Sequence, residues 1–496
     1  MTAASLLSPT DAAAAAREDQ YAAFLHRKTQ LPGGFGFDPV WLPDCLMPFQ
    51  RHLDEWAIRR GRAALFTDCG TGKSLMSLVF AENVVRRSGG RFLILTPLAV
   101  ARQFAAEAER FGVDAAVCMD GRLPAARVVI TNYEKLHLFD PSDFAGAACD
   151  EASILKSFRG ETRKRVTRFL SKMRWRLLLS ATPSPNDYTE LGSSSEALGD
   201  LTRSEMLGRF FRYLDDKGQA RERRKRDVAE GLAAMDANYY RKLSYRVAQS
   251  IGQYRLKHHA VTPFWRWVAS WARACRRPSD LGFSDDGFDL PPLTETVHVV
   301  RDGGPPADRL FEIPAVGLHE ERKERKRTLH ARCEAAARLC DHDEPVSVWC
   351  HTNAEGDALV KAIPGAEQIA GATPDERRVE LYDAFAAGEL RVLVLKPKIG
   401  AWGLNWQHCN RVVTFATHSM EQHYQAVRRH WRFRQTRPVF VDVVATPGEA
   451  GVVENLKAKQ ARADLMFEAL VREMNDAAEA VREDLYILPA EAPKWL

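Results

Sequence analysis

The sequence lacks the cysteine spacing of a disulfide scaffold or a zinc module. Its nine cysteines are scattered through 496 residues, and even the nearest set, Cys333, Cys340 and Cys350, contains no CxxC pair and no zinc-like spacing with histidine. A reduced, intracellular chain is the reading this supports. Long apolar runs are missing as well. Nothing approaches the ~18 residues of a membrane span, and the alanine run Ala12 to Ala16 sits between Asp11 and Arg17 with no apolar signal core behind it. No membrane partner is expected, and the expected location is the cytoplasm. Excess charge of one sign is also absent. The balance of 70 basic and 65 acidic residues leaves +5, which permits a polyanionic partner without requiring one.

What is present is size and a repeated strand and helix grammar. A chain of 496 residues is too long for one ordinary core, so two or three domains are expected. The runs "RAALFTD", "RFLILTP", "RVVITNY" and "RLLLSATP" alternate with helical-looking segments such as "SLMSLVFAENVVRR". Strands apolar along their whole length and alternating with helices imply a buried parallel sheet. The same grammar returns in "VSVWCHT", "LRVLVLKP", "RVVTFATH" and "VFVDVVAT". The expected architecture is α/β, with an N-terminal segment over 1–43, a first lobe over 44–200 and a mainly helical insertion and linker over 201–329. A second lobe over 330–450 and a helical C-terminal tail over 451–496 complete it. Within the insertion, "RERRKRD" (Arg221 to Asp227) and "ERKERKR" (Glu321 to Arg327) are charge-dense. In "FWRWVASWARACRR", Phe264, Trp267 and Trp271 share one helical face and read as a buried stripe rather than a stacking platform.

"TDCGTGKSL" (Thr67 to Leu75) follows a strand and precedes an amphipathic helix, the context a phosphate-binding loop requires. Gly70, Thr71 and Gly72 would turn backbone N–H groups toward phosphates, Lys73 would reach the β- and γ-phosphates of ATP, and Ser74 would hold Mg²⁺. Thr67 stands where the first glycine of the strict pattern is usual. "CDEAS" supplies the second acidic position: Asp150 toward the metal, Glu151 to orient and deprotonate the attacking water. Taken singly, the first motif is also a glycine turn capping a helix and the second an acidic helix N-cap. The strand before the second, "FAGAA", is feeble.

In order, "TDCGTGKS", "DEAS", "SATP" (Ser180 to Pro183) and "QAVRRHWR" (Gln425 to Arg432) resemble the superfamily-two helicase-like ATPases. The resemblance implies two RecA-like parallel-sheet lobes in tandem with ATP and Mg²⁺ between them. Further residues are similar to the Swi/Snf branch: "LMPFQ" ending in the adenine-reading Gln50, "LTPLAV", Lys156, and Thr182-Pro183, Asn186 and Glu190-Leu191 in a TPxxNxxxEL string. Gly403, Leu404, Asn405 and the closing Gln435 also fit. Compact members encoded by phages and prophages look closest, which implies a bacterial host cell and phage or host replication and recombination proteins as partners.

The family pattern QxxxRxxR falls on Gln425, Arg429 and Arg432, so the resemblance implies that the second lobe delivers Arg432, and next Arg429, to the γ-phosphate. Arg428 and Arg434, which replace an acidic residue and a glycine of the branch, are assigned to DNA or solvent. Trp431 and Phe433 are assigned to packing. The polymer expected is double-stranded DNA, touched by Pro97, Leu98, Thr131, Asn132, Thr182, Thr352, Asn353 and Lys398, with added nonspecific affinity from Arg221 to Arg226 as one reading and a solvated linker as the other. The function implied is a DNA-dependent ATPase motor without a nuclease centre. An RNA or single-strand helicase of the same superfamily and a nucleotide-gated clamp with little turnover stand as alternatives.

Overall fold

The structure is a computed structural model. It describes residues 35–156, 160–183, 188–214, 254–286, 288–301, 318–397, 405–417 and 419–457, with short pieces between 460 and 473. Arg221 to Arg226, Asn186, Lys398, Gly403 and Leu404 lie outside the described residues.

The strands in chain order are β1 (Arg62–Thr67), β2 (Arg91–Thr96), β3 (Ala115–Val117), β4 (Val128–Asn132), β5 (Phe144–Cys149) and β6 (Trp175–Leu179). They continue with β7 (Phe211–Tyr213), β8 (Tyr254–Leu256), β9 (Ala272–Cys275), β10 (Leu293–Val299) and β11 (Val346–Trp349), then β12 (Ala366–Ile369), β13 (Val392–Leu395), β14 (Arg411–Phe415) and β15 (Val439–Ala445). Seven form one sheet in the order β3-β4-β2-β5-β6-β1-β9, and six form a second in the order β10-β15-β14-β11-β13-β12. Every neighbouring pair in both sheets is parallel. A parallel sheet puts the loops after all its strands on one edge, which is where the motifs collect.

Burial explains the strand composition. Leu65, Leu93, Ile94, Leu177, Leu178, Val394 and Val413 are all at most 1% exposed, and apolar clusters cover both faces of each sheet. The feeble run before Asp150 is β5, in mid-sheet. A Cβ on Gly146 would meet the Trp175 carbonyl at 2.7 Å and the Phe92 ring at 2.8 Å, so only glycine fits there without a shift of its neighbours.

Four strands, β7 to β10, lie inside the segment expected to be mainly helical, and two of them, β9 and β10, join the large sheets. The helix carrying the aromatic stripe stops at Trp271, and the chain continues as β9 beside β1. The stripe is buried, with Phe264, Trp265, Trp267 and Trp271 at 0–7% exposure. Leu293–Val299 pairs with β15 in the second sheet. The charge-dense run Glu321 to Arg327 falls in the helix Leu318–Arg327, and Arg325 holds Glu449 (3.1 Å) and the Ala416 carbonyl (2.9 Å) of the second lobe. Sheet membership therefore crosses the boundaries expected at 200 and 330. The C-terminal tail is helical in its described part and returns to the first lobe. Phe467 joins the cluster that contains Trp267, and Asp464 pairs with Arg276 at 3.0 Å. Among the described residues no helix is long and apolar enough to cross a membrane.

Candidate active site between two sheets

The helix Lys73–Ser88 begins at the end of the loop that follows β1, and two glycines make that loop possible. Gly70 and Gly72 both have φ +89°, a conformation that costs an L-residue roughly 1–2 kcal/mol. Neither has room for a side chain. A Cβ on Gly72 would lie 2.3 Å from Gln50 Nε2, and one on Gly70 would lie 2.9 Å from the backbone nitrogen of Phe433. Thr67, the departure from the strict pattern, has its own place: Thr71 Oγ1 stands 2.8 Å from both Thr67 Oγ1 and the Asp68 carbonyl, which closes the loop. Lys73 Nζ donates to the carbonyls of Thr67 (3.0 Å) and Asp68 (2.9 Å).

Asp150 and Glu151 come from the loop after β5. Asp150 N–H donates to the Leu95 carbonyl (2.8 Å) and Tyr133 OH donates to the Asp150 carbonyl (2.6 Å), so the backbone is pinned on both sides. Burial and the neighbouring Glu151 charge push the Asp150 carboxyl up to about 7, against the pull of Lys73 and the Thr96 hydroxyl. A bound divalent cation would reverse that balance. Glu151 has φ +54°, rare for a residue with a side chain, and among the described residues its buried Oε2 has no partner. Glu151 also lines the cleft.

The helix Met420–Val427 and the turn after it bring Arg429 and Arg432 from the second lobe. Arg429 is 2% exposed, and its Nη2 donates to Gln425 Oε1 (2.6 Å). Gln425 therefore orients an arginine. Burial lowers the pKa of both guanidinium groups, Arg432 to about 10, while the charge of Glu151 opposes the shift. Gly70, Gly72, Lys73, Ser74, Asp150, Glu151, Asn405, Arg429 and Arg432 line one cavity of about 390 Å³, within the range of small-ligand sites. The donor set fits a nucleoside triphosphate with Mg²⁺: Ser74 and Asp150 would hold the cation. Glycines without side-chain space, a lysine on carbonyls and an unpartnered carboxylate fit the rest.

Gln50 lines the same cavity, and its amide is engaged by backbone groups. Its Nε2 donates to the Thr71 carbonyl (2.8 Å), and its Oε1 accepts from Met47 N–H (3.0 Å). The amide ties the start of the helix Pro48–Arg60 to the phosphate loop. The cavity is also lined by Phe288 and Phe433, whose rings stack at 4.6 Å and 17°. Phe433 is thus a packing residue, as is Trp431, whose Nε1 donates to the Pro291 carbonyl (2.7 Å).

Arg428 corrects the sequence reading. It is 8% exposed and faces neither solvent nor a groove; its Nη2 reaches Asp68 Oδ2 of the phosphate loop at 2.7 Å. Asp68 carried no role in the motif reading, and nothing local signals a partner 360 residues away. Arg434 is exposed, at φ +70°, on the rim of the same cavity. Lys156, from the stretch after Glu151, pairs with Glu421 of the second lobe.

The residues expected to touch nucleic acid divide into two groups. Pro97 is half-buried, and Thr352 and Asn353 are exposed at the start of the helix Asn353–Ala362, where Lys396 donates to Asn353 Oδ1. Lys396 lies two residues before Lys398, which is outside the described residues. Thr131 and Asn132 are instead the buried end of β4, at 0% and 4% exposure, and Asn132 Oδ1 caps the following turn through Lys135 N–H (2.9 Å). Thr182 is 8% exposed, and among the described residues its buried hydroxyl has no partner.

Residues 331–434 match the helicase conserved C-terminal domain, about a fifth of the chain, covering β11 to the arginine turn. No curated protein matches the chain. Two parallel α/β sheets with this domain in the second support a helicase-like protein of superfamily two, with nucleic-acid-dependent ATPase activity as the activity suggested.

Proposed function

We propose that this protein is a DNA-dependent ATPase motor of the Swi/Snf-like branch that couples ATP hydrolysis to translocation on, or remodelling of, double-stranded DNA. The observation that carries the proposal is the convergence on one cavity of Lys73, Ser74, Asp150 and Glu151 from the first lobe and Arg429 and Arg432 from the second.

Lys73 leaves the Thr67 and Asp68 carbonyls for the β- and γ-phosphates. Ser74 and Asp150 would hold Mg²⁺, which would supply positive charge at the phosphate oxygens. Glu151 accepts a proton from the attacking water through the oxygen that has no other partner. Arg432, with Arg429 beside it, neutralises the charge that develops on the transferred group, an effect worth ~10³ to 10⁵ in rate for such arginines. Because the two sets of groups belong to different sheets, hydrolysis and lobe closure are one event. Alternating grip on DNA follows if Pro97, Thr352, Asn353 and Lys396 contact phosphates in one state more than in the other. Phage or host replication and recombination proteins would then be its partners.

The test is ATP hydrolysis with no polymer, duplex DNA, single-stranded DNA and RNA. Duplex DNA should stimulate most. Stimulation by RNA alone would establish the helicase alternative, and absence of turnover with every polymer would establish a clamp.

A further inference from the structure

We infer that Asp68, Arg428 and Tyr424 form an interlobe clasp that positions Arg429 and Arg432 over the phosphate loop. This deepens the proposed reading and rests on it for its kinetic consequence. Asp68 belongs to the loop itself, and its carboxylate accepts from Arg428 Nη2 (2.7 Å), Tyr424 OH (2.5 Å) and its neighbour Cys69 N–H (2.6 Å). Arg428 and Tyr424 belong to the second lobe, on and just after the helix Met420–Val427. Asp68 and Arg428 are 5% and 8% exposed. Burial opposes the charge on Arg428, and the Asp68 carboxylate outweighs it, so the guanidinium's pKa is raised. The guanidinium also lies over two rings, its Cζ 5.1 Å from the Tyr424 ring centroid and 4.4 Å from that of Trp431.

Two features make this more than a seam contact. First, the Asp68 carbonyl is one of the two acceptors of Lys73 Nζ. One residue therefore holds the phosphate-gripping lysine by its backbone and the second lobe by its side chain. Second, the loop and the arginine turn touch again where Gly70 meets the backbone of Phe433. The two contacts, at Arg428 and Phe433, bracket Arg429 and Arg432 in sequence. A buried ion pair contributes little to net stability, but breaking it by removing one partner leaves a buried charge alone. It suits a contact that fixes position, and it makes these positioning residues rather than catalytic ones.

The test is a double-mutant cycle with Asp68→Asn, Arg428→Gln and the pair together, alongside Arg428→Lys. kcat and KM are measured at saturating duplex DNA, together with the affinity for a fluorescent ADP. Each single change should lower kcat about tenfold, a loss of ~1.4 kcal/mol in transition-state stabilisation, with ADP affinity changed less than about threefold. The double variant should be no slower than either single, because one interaction is lost in all three. Arg428→Lys should recover most of kcat. The same variants carry donor and acceptor dyes at the exposed Glu109 and Glu376, one in each lobe. Without nucleotide, Arg428→Gln should lower energy transfer, an outcome that stands whether or not the wild type hydrolyses ATP. Wild-type turnover with multiplicative losses in the double variant, or unchanged transfer in Arg428→Gln, overturns the clasp. Absence of wild-type turnover with lowered transfer overturns the ATPase reading and leaves the clasp.

Discussion

Replacing Gln50 with alanine removes two hydrogen bonds, one that joins the first described helix to the phosphate loop and one that caps that helix. The Thr71 carbonyl loses its 2.8 Å donor in a loop where Thr71 is 1% exposed, and an acceptor left buried without a partner costs ~1–3 kcal/mol. Met47 N–H loses its 3.0 Å acceptor at the helix start, an N-terminal capping bond of the kind that contributes ~0.5–2 kcal/mol. Together these predict a loss of about 2–4 kcal/mol in the stability of the first lobe. They also predict weaker nucleotide binding, because Thr71 and Gly72 then lose their support. Both bonds go to backbone, so ATP and GTP should weaken by the same factor. Gln50→Glu should be worse for nucleotide than Gln50→Ala, since one carboxylate oxygen would face the Thr71 carbonyl and its charge would face phosphates. Urea unfolding followed by circular dichroism, with fluorescent ATP and GTP titrations on the same samples, reads both quantities. An unchanged unfolding midpoint combined with loss of discrimination between ATP and GTP would refute the reasoning and return Gln50 to reading the adenine base.

Three further outcomes follow from other parts of the fold. Arg434→Gly should stabilise the protein by about 1 kcal/mol in the same urea assay, because Arg434 sits at φ +70° where a side chain is strained. Trp267→Ala, in the cluster that also receives Phe467 from the tail, should cost ~3–5 kcal/mol, read as a lowered Tm. His430 is buried, with its pKa pushed down to about 3 by burial. Its folded pKa lies below the unfolded value of 6.5, so the stability it contributes is full above pH 6.5 and is lost as pH falls toward about 3. The loss proceeds at up to ~1.4 kcal/mol per pH unit. NMR of the imidazole should show no titration between pH 5 and 8, and denaturation midpoints of His430→Gln should depend less steeply on pH below 6.5.

The parts of this molecule that a sequence reader can see are those with local signatures. The strands with continuous apolar runs and the glycine loop announce themselves within ten residues, and the two-sheet α/β architecture follows from them. β9 does not: "ARAC" has no strand character, and it becomes a strand because β1 offers an edge to pair with. β10 was hidden by its own polarity, an edge strand of Thr, Glu and His whose side chains are largely exposed. Position also misled where exposure was assumed from motif order. Thr131 and Asn132 fall at the expected place in the chain, yet they end a strand in the interior. The pairing of Asp68 with Arg428 depends on how two sheets meet, so no window of sequence contains it. The arginine repeat was legible only through its resemblance to the family pattern; in the fold Gln425 bonds Arg429, and Arg429 and Arg432 line one cavity.

The account's central claim is that one cavity, built from both lobes, hydrolyses ATP. Phosphate release by the wild type, Glu151→Gln and Arg432→Ala at saturating duplex DNA, with duplex affinity measured on the same samples, tests it most directly. The wild type should turn over. Both variants should lose ~10³-fold or more in rate while binding duplex DNA with nearly unchanged affinity. Persistent turnover in either variant, or a parallel fall in DNA affinity and rate in Arg432→Ala, would contradict the assignment and make the arginine turn a DNA-binding patch.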